Sequence, residues 1–379
     1  MATACSHPIR LRGWQERIDA ETGELLAQIV TAREPGGVLL VACGDRRAAS
    51  CPSCAELYKH DAFQLVAAGL RGGKGVPDAV AGHPAVMVTL TAPSFGPVHT
   101  IRDRDGSCPC GGRHPPDDDA LGTPVNPSTY RYLEQAVWNH LAPTLWKRTV
   151  LAIRRNLACE LGVARHRLGS VARIRFVKAA EFQRRGTVHY HAVIRLDGPG
   201  KHVLREPPAR CTFALLERVT RDAARRVEVS ANGQRVRWGR ELEIVRLNAG
   251  EVGRAAGYVA KYATKATEIA ADGLLLRRVR SWRELIALDA PEHAKRLVEA
   301  AWRAGSIEGL ERARRWAHQF GYGGHTLTKS HDYSVTFGAL RDARAAWRTG
   351  QPLDSPGNVI TRGKLKYAGR GWHRGAGAR

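Results

Sequence analysis

The chain has 379 residues, a hydrophobic fraction of 43% and a formal net charge of +23 at pH 7. Length suggests roughly two domains, and the apolar content can build a real core, so disorder throughout is excluded. No run of about 18 uncharged apolar residues occurs, which excludes a transmembrane helix, and Met1–Trp14 lacks an apolar signal core, so a cytoplasmic protein with no membrane partner is expected.

The excess of base is the first pointer to function. Of the 59 Lys and Arg residues 48 are Arg, against 36 Asp and Glu. A high-GC genome would inflate Arg, but it does not explain the shortage of acid. The balance reads as the footprint of a phosphate-backbone binder.

Residues 1–70 read as a cysteine-rich module. Short strand signals run over Leu25–Val30 and residues 37–42, around the loop at 31–36. A helix is expected over 57–70, stopped by Arg71-Gly72-Gly73. Cys51-Pro52-Ser53-Cys54 is a C-x-x-C knuckle, with Cys43 eight residues earlier and Cys5 ahead of the first strands. Thiols without a secretion signal stay reduced, so this set suits a tetrahedral structural zinc site, with His7 as a substitute ligand.

A second domain is expected over 80–270. It opens with a strong strand at 85–91, ended by Pro93. Residues 102–129 form a polar loop insertion holding Cys108, Cys110 and His114, which are candidates for a second metal site. A helix follows over 130–161, with Pro143 expected to kink or split it. Strands are expected at 173–183 and 187–195, a helix at 213–226, a hairpin about Asn232-Gly233, a strand at 242–247 and a helix at 253–269. Cys159 and Cys211 read as core residues. The order is α+β, an antiparallel sheet with helices packed on it. No Gly-x-x-x-x-Gly-Lys-Ser/Thr loop is present, so a nucleotide-hydrolysing motor is not supported. Beyond it, 280–350 reads as a helical region, and 351–379, rich in Gly and basic residues, as a flexible tail able to touch nucleic acid.

Two constellations carry the chemistry. In the strand Val188-His189-Tyr190-His191, His189 and His191 share a face, close enough for both imidazoles to reach one divalent cation. Taking Arg184-Arg185-Gly186 as a three-residue turn, with Gly in the left-handed position, sets Glu181 opposite His189. Two histidines and a carboxylate leave coordination positions open for a substrate oxygen. On the helix Gly257-Tyr258-Val259-Ala260-Lys261-Tyr262-Ala263-Thr264-Lys265, the two tyrosines lie one turn apart. Lys261 and Lys265 each follow a tyrosine by three residues, and a cation near a phenol favours phenolate, a nucleophile for a phosphodiester.

Val88-Thr89-Leu90-Thr91, His189-Tyr190-His191 and Tyr258-Val259-Ala260-Lys261-Tyr262 resemble, in order, the three motifs of the HUH endonucleases. Gly73-Lys74-Gly75-Val76-Pro77, the run from Thr89 to His99, and Lys329-Ser330 narrow the resemblance to Rep proteins of actinobacterial plasmids and integrative elements, over most of residues 5–350. Asn126-Pro127-Ser128-Thr129 departs from that group, which carries a further C-x-x-C there, and leaves a second zinc site open. The resemblance implies a five-stranded antiparallel sheet with the metal on a central strand. It also implies nicking of one DNA strand at a rolling-circle origin, through a 5′-phosphotyrosine and a free 3′-OH. It makes His189 and His191 ligands for Mg²⁺ or Mn²⁺, and Tyr258 and Tyr262 the nucleophile candidates, in either order. Implied partners are origin DNA, single-stranded or as a hairpin, and a host helicase and polymerase. An HUH transposase or relaxase, or a non-catalytic zinc-containing DNA-binding regulator, are the competing expectations.

Overall fold

A computed structural model describes residues 4–101, 107–200, 204–264, 278–349 and 358–372. Lys265, the rest of the helix expected to 269, and residues 351–357 and 373–379 of the expected tail lie outside these. The strands are β1 (Ile9–Asp19), β2 (Leu25–Val30), β3 (Leu39–Val41), β4 (Ala85–Leu90), β5 (Arg173–Phe182), β6 (Val188–Asp197), β7 (Val229–Ala231), β8 (Gln234–Val236), β9 (Leu242–Leu247), β10 (Leu327–Lys329) and β11 (Val359–Arg370). The helices are α1 (Pro52–Arg71), α2 (Tyr132–Glu160), α3 (Phe213–Arg226), α4 (Val252–Thr264), α5 (Trp282–Ile286), α6 (Glu292–Ala304), α7 (Arg312–Arg315) and α8 (Phe337–Thr349). The chain divides into two compact units, Met1–Leu65 with Val335–Arg379, and Val66–Ser334, the division falling inside α1.

The first unit corrects the domain reading. Residues 359–370 are not a tail: β11 pairs antiparallel along the whole of β1, from Ile9 opposite Arg370 to Asp19 opposite Val359. β2 takes the other edge of β1, while β3 pairs with its first residues. The basic, glycine-bearing sequence of β11 buries little, and what orders it is the ladder to β1. α8 belongs to the same unit. Its Phe337 ring stacks on Tyr58 of α1 at 4.9 Å, and Arg344 grips the Asp61 carboxylate with both guanidinium nitrogens.

The second unit is built on a five-stranded antiparallel sheet in the order β10-β5-β6-β4-β9. Alternation along the strands gives it two different faces. Val86, Val88, Leu90, Tyr190, Ala192 and Ile194 point into a core shared with α2 and α3. The opposite face carries His189 and His191. Helix α2 continues through Pro143, which does not split it. Trp138, Leu141, Leu145, Trp146 and Ile153 bury both halves in the core, and that packing outweighs the roughly 3 kcal/mol cost of an interior proline. Beyond α4 the chain is not wholly helical, because β10 returns to pair with β5. Cys211 is buried as expected, whereas Cys159, at the end of α2, is exposed.

Candidate metal and tyrosine site

The turn between β5 and β6 sets the register of the site. Gly186 has φ of +77°, its amide donates to the Gln183 carbonyl at 2.9 Å, and the Gln183 amide donates to the Thr187 carbonyl at 2.9 Å. The ladder then pairs Glu181 with His189 and Ala179 with His191. Asn139 of α2 clamps the turn, its Nδ2 donating to the Gly186 carbonyl and its Oδ1 accepting from the Val188 amide.

The two imidazoles lie 4.6 Å apart between ring centroids. His191 is buried, with Nε2 3.1 Å from the Glu181 carboxylate and Nδ1 3.4 Å from the Thr89 hydroxyl. The side-chain amide of Gln183 sits 3.1 Å from Nδ1 of His189. Nε2 of His189 is buried beside Glu181 and His191 and, among the described residues, meets no hydrogen-bond partner. Ligand atoms of Glu181, His189 and His191 all fall within 4.8 Å of one another. An orphaned imidazole nitrogen, a second imidazole and a carboxylate form a donor set that fits a divalent cation. Burial first, and then the neighbouring His191, holds the His189 pKa down to about 4. The ring is therefore neutral, and able to ligate, at neutral pH.

Helix α4 lies across this face. Asn248 and Glu251 form a capping box just ahead of it. Ala255, Ala256, Val259, Ala260 and Ala263 are its buried stripe, and their small side chains let its backbone approach the sheet. Tyr258 and Tyr262 flank that stripe one turn apart, with ring centroids at 4.5 Å. Tyr262 stacks on His191 at 4.4 Å, and Tyr258 meets the same imidazole edge-on at 4.9 Å. Tyr258 keeps 39% of its surface exposed, so a substrate could reach it.

The expected activation of the phenols by lysine is corrected at Tyr258. Burial, reinforced by a hydrogen bond with Tyr262 and by the carboxylates of Glu181 and Glu243, pushes its pKa well above the ordinary value. Lys261 is placed elsewhere, with Nζ 5.7 Å from the centroid of the Tyr262 ring. Tyr258 is thus a neutral phenol at rest. Glu243, on the same face through its pairing with Thr89, and Gln183, against His189, are neighbours the sequence reading missed. Period-2 alternation along β9, carried across β4, was the signal available for Glu243.

In the first unit, Cys5, Cys43, Cys51 and Cys54 converge. Cys43 and Cys54 sulfurs lie 3.6 Å apart, Cys5 and Cys54 3.8 Å, and Cys5 and Cys51 3.9 Å. Four sulfurs at about 2.3 Å from a central zinc, in a tetrahedron, would stand about 3.8 Å from one another. The amides of Ser6, Cys43 and Asp45 point at sulfurs of Cys51, Cys5 and Cys43. Burial opposes ionisation of Cys51, but hydrogen bonds from Ser53, Cys54 and Ser6 outweigh it and bring the thiol down to about 5. This group fits zinc.

The RepSA family, described as "Replication initiator protein, pSAM2", matches residues 1–379. A protein described as "Replication initiator protein" from Streptomyces ambofaciens is 43% identical over 391 residues, covering 97% of this chain and 84% of that one. No solved structure matches the chain. A match over the full length, with a relative this similar, places the chain in the RepSA family of replication initiator proteins.

Proposed function

We propose that the protein binds replication-origin DNA and starts replication by cutting one strand with a tyrosine. Membership of the initiator family supports the task. One observation supports the chemistry: both tyrosines of α4 stand against His191, on the sheet face that also carries His189 and Glu181. In this reading a tyrosine Oη bonds to phosphorus and the P–O3′ bond breaks. The phenolic proton passes to solvent, and the leaving 3′ oxygen takes a proton from water. The products are a 5′-phosphotyrosine and a free 3′-OH, which a host polymerase extends after a host helicase opens the duplex. Mg²⁺ or Mn²⁺ held by His189, His191 and Glu181 would neutralise charge growing on the phosphate oxygens. Gln183 orients the His189 ring. The second tyrosine would accept the strand in a later transfer.

The test is incubation with single-stranded DNA from the cognate origin and Mn²⁺, followed by a denaturing gel. A covalent protein–DNA adduct is expected, with the phosphotyrosine mapped by mass spectrometry to residue 258 or 262. It should vanish in the Tyr258→Phe/Tyr262→Phe double variant. No adduct from the unaltered protein with metal and origin present, or an adduct that survives the double variant, overturns the reading.

A further inference from the structure

A second group of metal-ligating side chains lies outside the sites above, at the base of the loop that follows β4. His99, Cys108, Cys110 and His114 bring four ligand atoms within 4.8 Å of one another. The pairwise distances are those of a coordination shell. Nδ1 of His99 lies 3.1 Å from Nε2 of His114 and 3.8 Å from the Cys108 sulfur, and the Cys110 sulfur lies 3.3 Å from Nε2 of His114. Nitrogens at about 2.05 Å and sulfurs at about 2.3 Å from a tetrahedral zinc would stand about 3.3 Å apart for an N–N pair and about 3.6 Å for an S–N pair.

The surroundings prepare each ligand. Nδ1 of His114 meets the Asp118 carboxylate at 2.7 Å, and the other Asp118 oxygen accepts the Ala120 amide at 2.8 Å. A carboxylate on one ring nitrogen keeps the proton there and turns a lone pair outward from the other, an arrangement typical of metal-bound histidine. The amides of Thr100 and Gly112 point at the sulfurs of Cys108 and Cys110, at 3.4 and 3.3 Å. The same amide-to-sulfur contacts mark the four-cysteine group. Hydrogen bonds alone do not account for the cluster, because Nδ1 of His99 faces both His114 and Cys108 and can serve only one of them with a single proton.

The sequence reading had Cys108, Cys110 and His114 and lacked a fourth ligand. His99 supplies it from nine residues ahead of Cys108. Its backbone binds across the loop closure, the His99 amide donating to the Thr123 carbonyl and the Gly122 amide to the His99 carbonyl, both at 2.9 Å. From these contacts we infer that His99, Cys108, Cys110 and His114 form a Cys₂His₂ structural zinc site that ties residues 108–114 to His99, where the loop closes. The fastened loop forms part of the wall of a cavity of about 960 Å³, whose lining includes His99 and Pro116 together with Gln183, Arg184, Arg185 and Arg240. Arg184 donates to the Pro116 carbonyl at 3.2 Å, tying the loop to the turn that sets the register of His189.

Native mass spectrometry of the full-length protein, purified with zinc, tests the site. The Cys110→Ser/His114→Ala variant should carry one zinc fewer per chain than the unaltered protein, while Cys43→Ser/Cys54→Ser should lose a different one. A second measurement needs no variant. Cys110 is exposed, so alkylation of the zinc-loaded protein should spare it until a chelator is added, then modify it at least tenfold faster. An unchanged zinc count in the first double variant, or equally fast alkylation of Cys110 with and without chelator, overturns the assignment.

Discussion

His189 shows how far a single residue's surroundings decide its use. An isolated histidine titrates near pH 6.5, whereas this one is held to about 4, chiefly by burial. His293, buried between Tyr132 and the Arg185 carbonyl, is also held to about 4 by burial. The unfolded chain takes up protons on both as pH falls through about 6.5, while the folded chain keeps both neutral down to about 4. Their contribution to stability is therefore complete above pH 6.5 and lost progressively toward pH 4. The thermal midpoint of the protein without added divalent metal should fall across that window, and His293→Gln should flatten the fall. A midpoint constant from pH 7 to 4.5 would contradict the burial of these rings. The pairing of Glu181 with His189 was legible from residue identity, because a three-residue turn with glycine at its left-handed position permits one register. The raised pKa of Tyr258 was not legible, since the burial that chiefly raises it comes from packing α4 on the sheet.

At the scale of the element, the β5–β6 hairpin carries the site and depends on Gly186. Its backbone is left-handed, and a Cβ there would run into Leu297 of α6 and lie 3.3 Å from the Gln135 amide nitrogen. Gly186→Ala should cost about 2–5 kcal/mol, combining roughly 1–2 for the backbone and 1–3 for overpacking. Chemical denaturation measures it, and a loss below about 0.5 kcal/mol would show that the turn can relax. Elements with a local signal were legible. α3 matches its expected span, 213–226, and β9 its span, 242–247, because apolar periodicity and flanking turn residues sit within the segment. β10 and β11 were missed for the opposite reason. Lys329 pairs with Val177 and Arg370 with Ile9, partners far away in sequence.

For the whole molecule, the net charge of +23 acquires a use once the family is known. A basic initiator holding single-stranded DNA through three or more phosphate contacts should lose about tenfold or more in affinity between 50 and 200 mM salt. Fluorescence anisotropy with a labelled oligonucleotide reads that slope, and salt-independent binding would mean that the Arg content reflects codon usage alone. The two-unit division was only half legible. The cysteine module was visible in the first 54 residues, but not that residues 335–379 fold with it. A chain ending at Asn358 should accordingly lose the protease resistance of residues 9–30, since β1 would keep only β2 and β3. Cleavage there unchanged from the full chain would mean β11 adds nothing to that sheet.

The pairing of Ile9 with Arg370 also has a consequence in time. A ribosome releases β1 some 350 residues before its longest partner. At about 5–20 residues per second, β1 waits roughly 20–70 seconds for β11. During that interval β1 has an open edge, and the nascent chain can neither finish its first sheet nor close Trp372 over the Cys5 carbonyl beside the four cysteines. A polypeptide abandoned before residue 370 leaves that sheet incomplete, so completion of this unit reports that translation has passed that point.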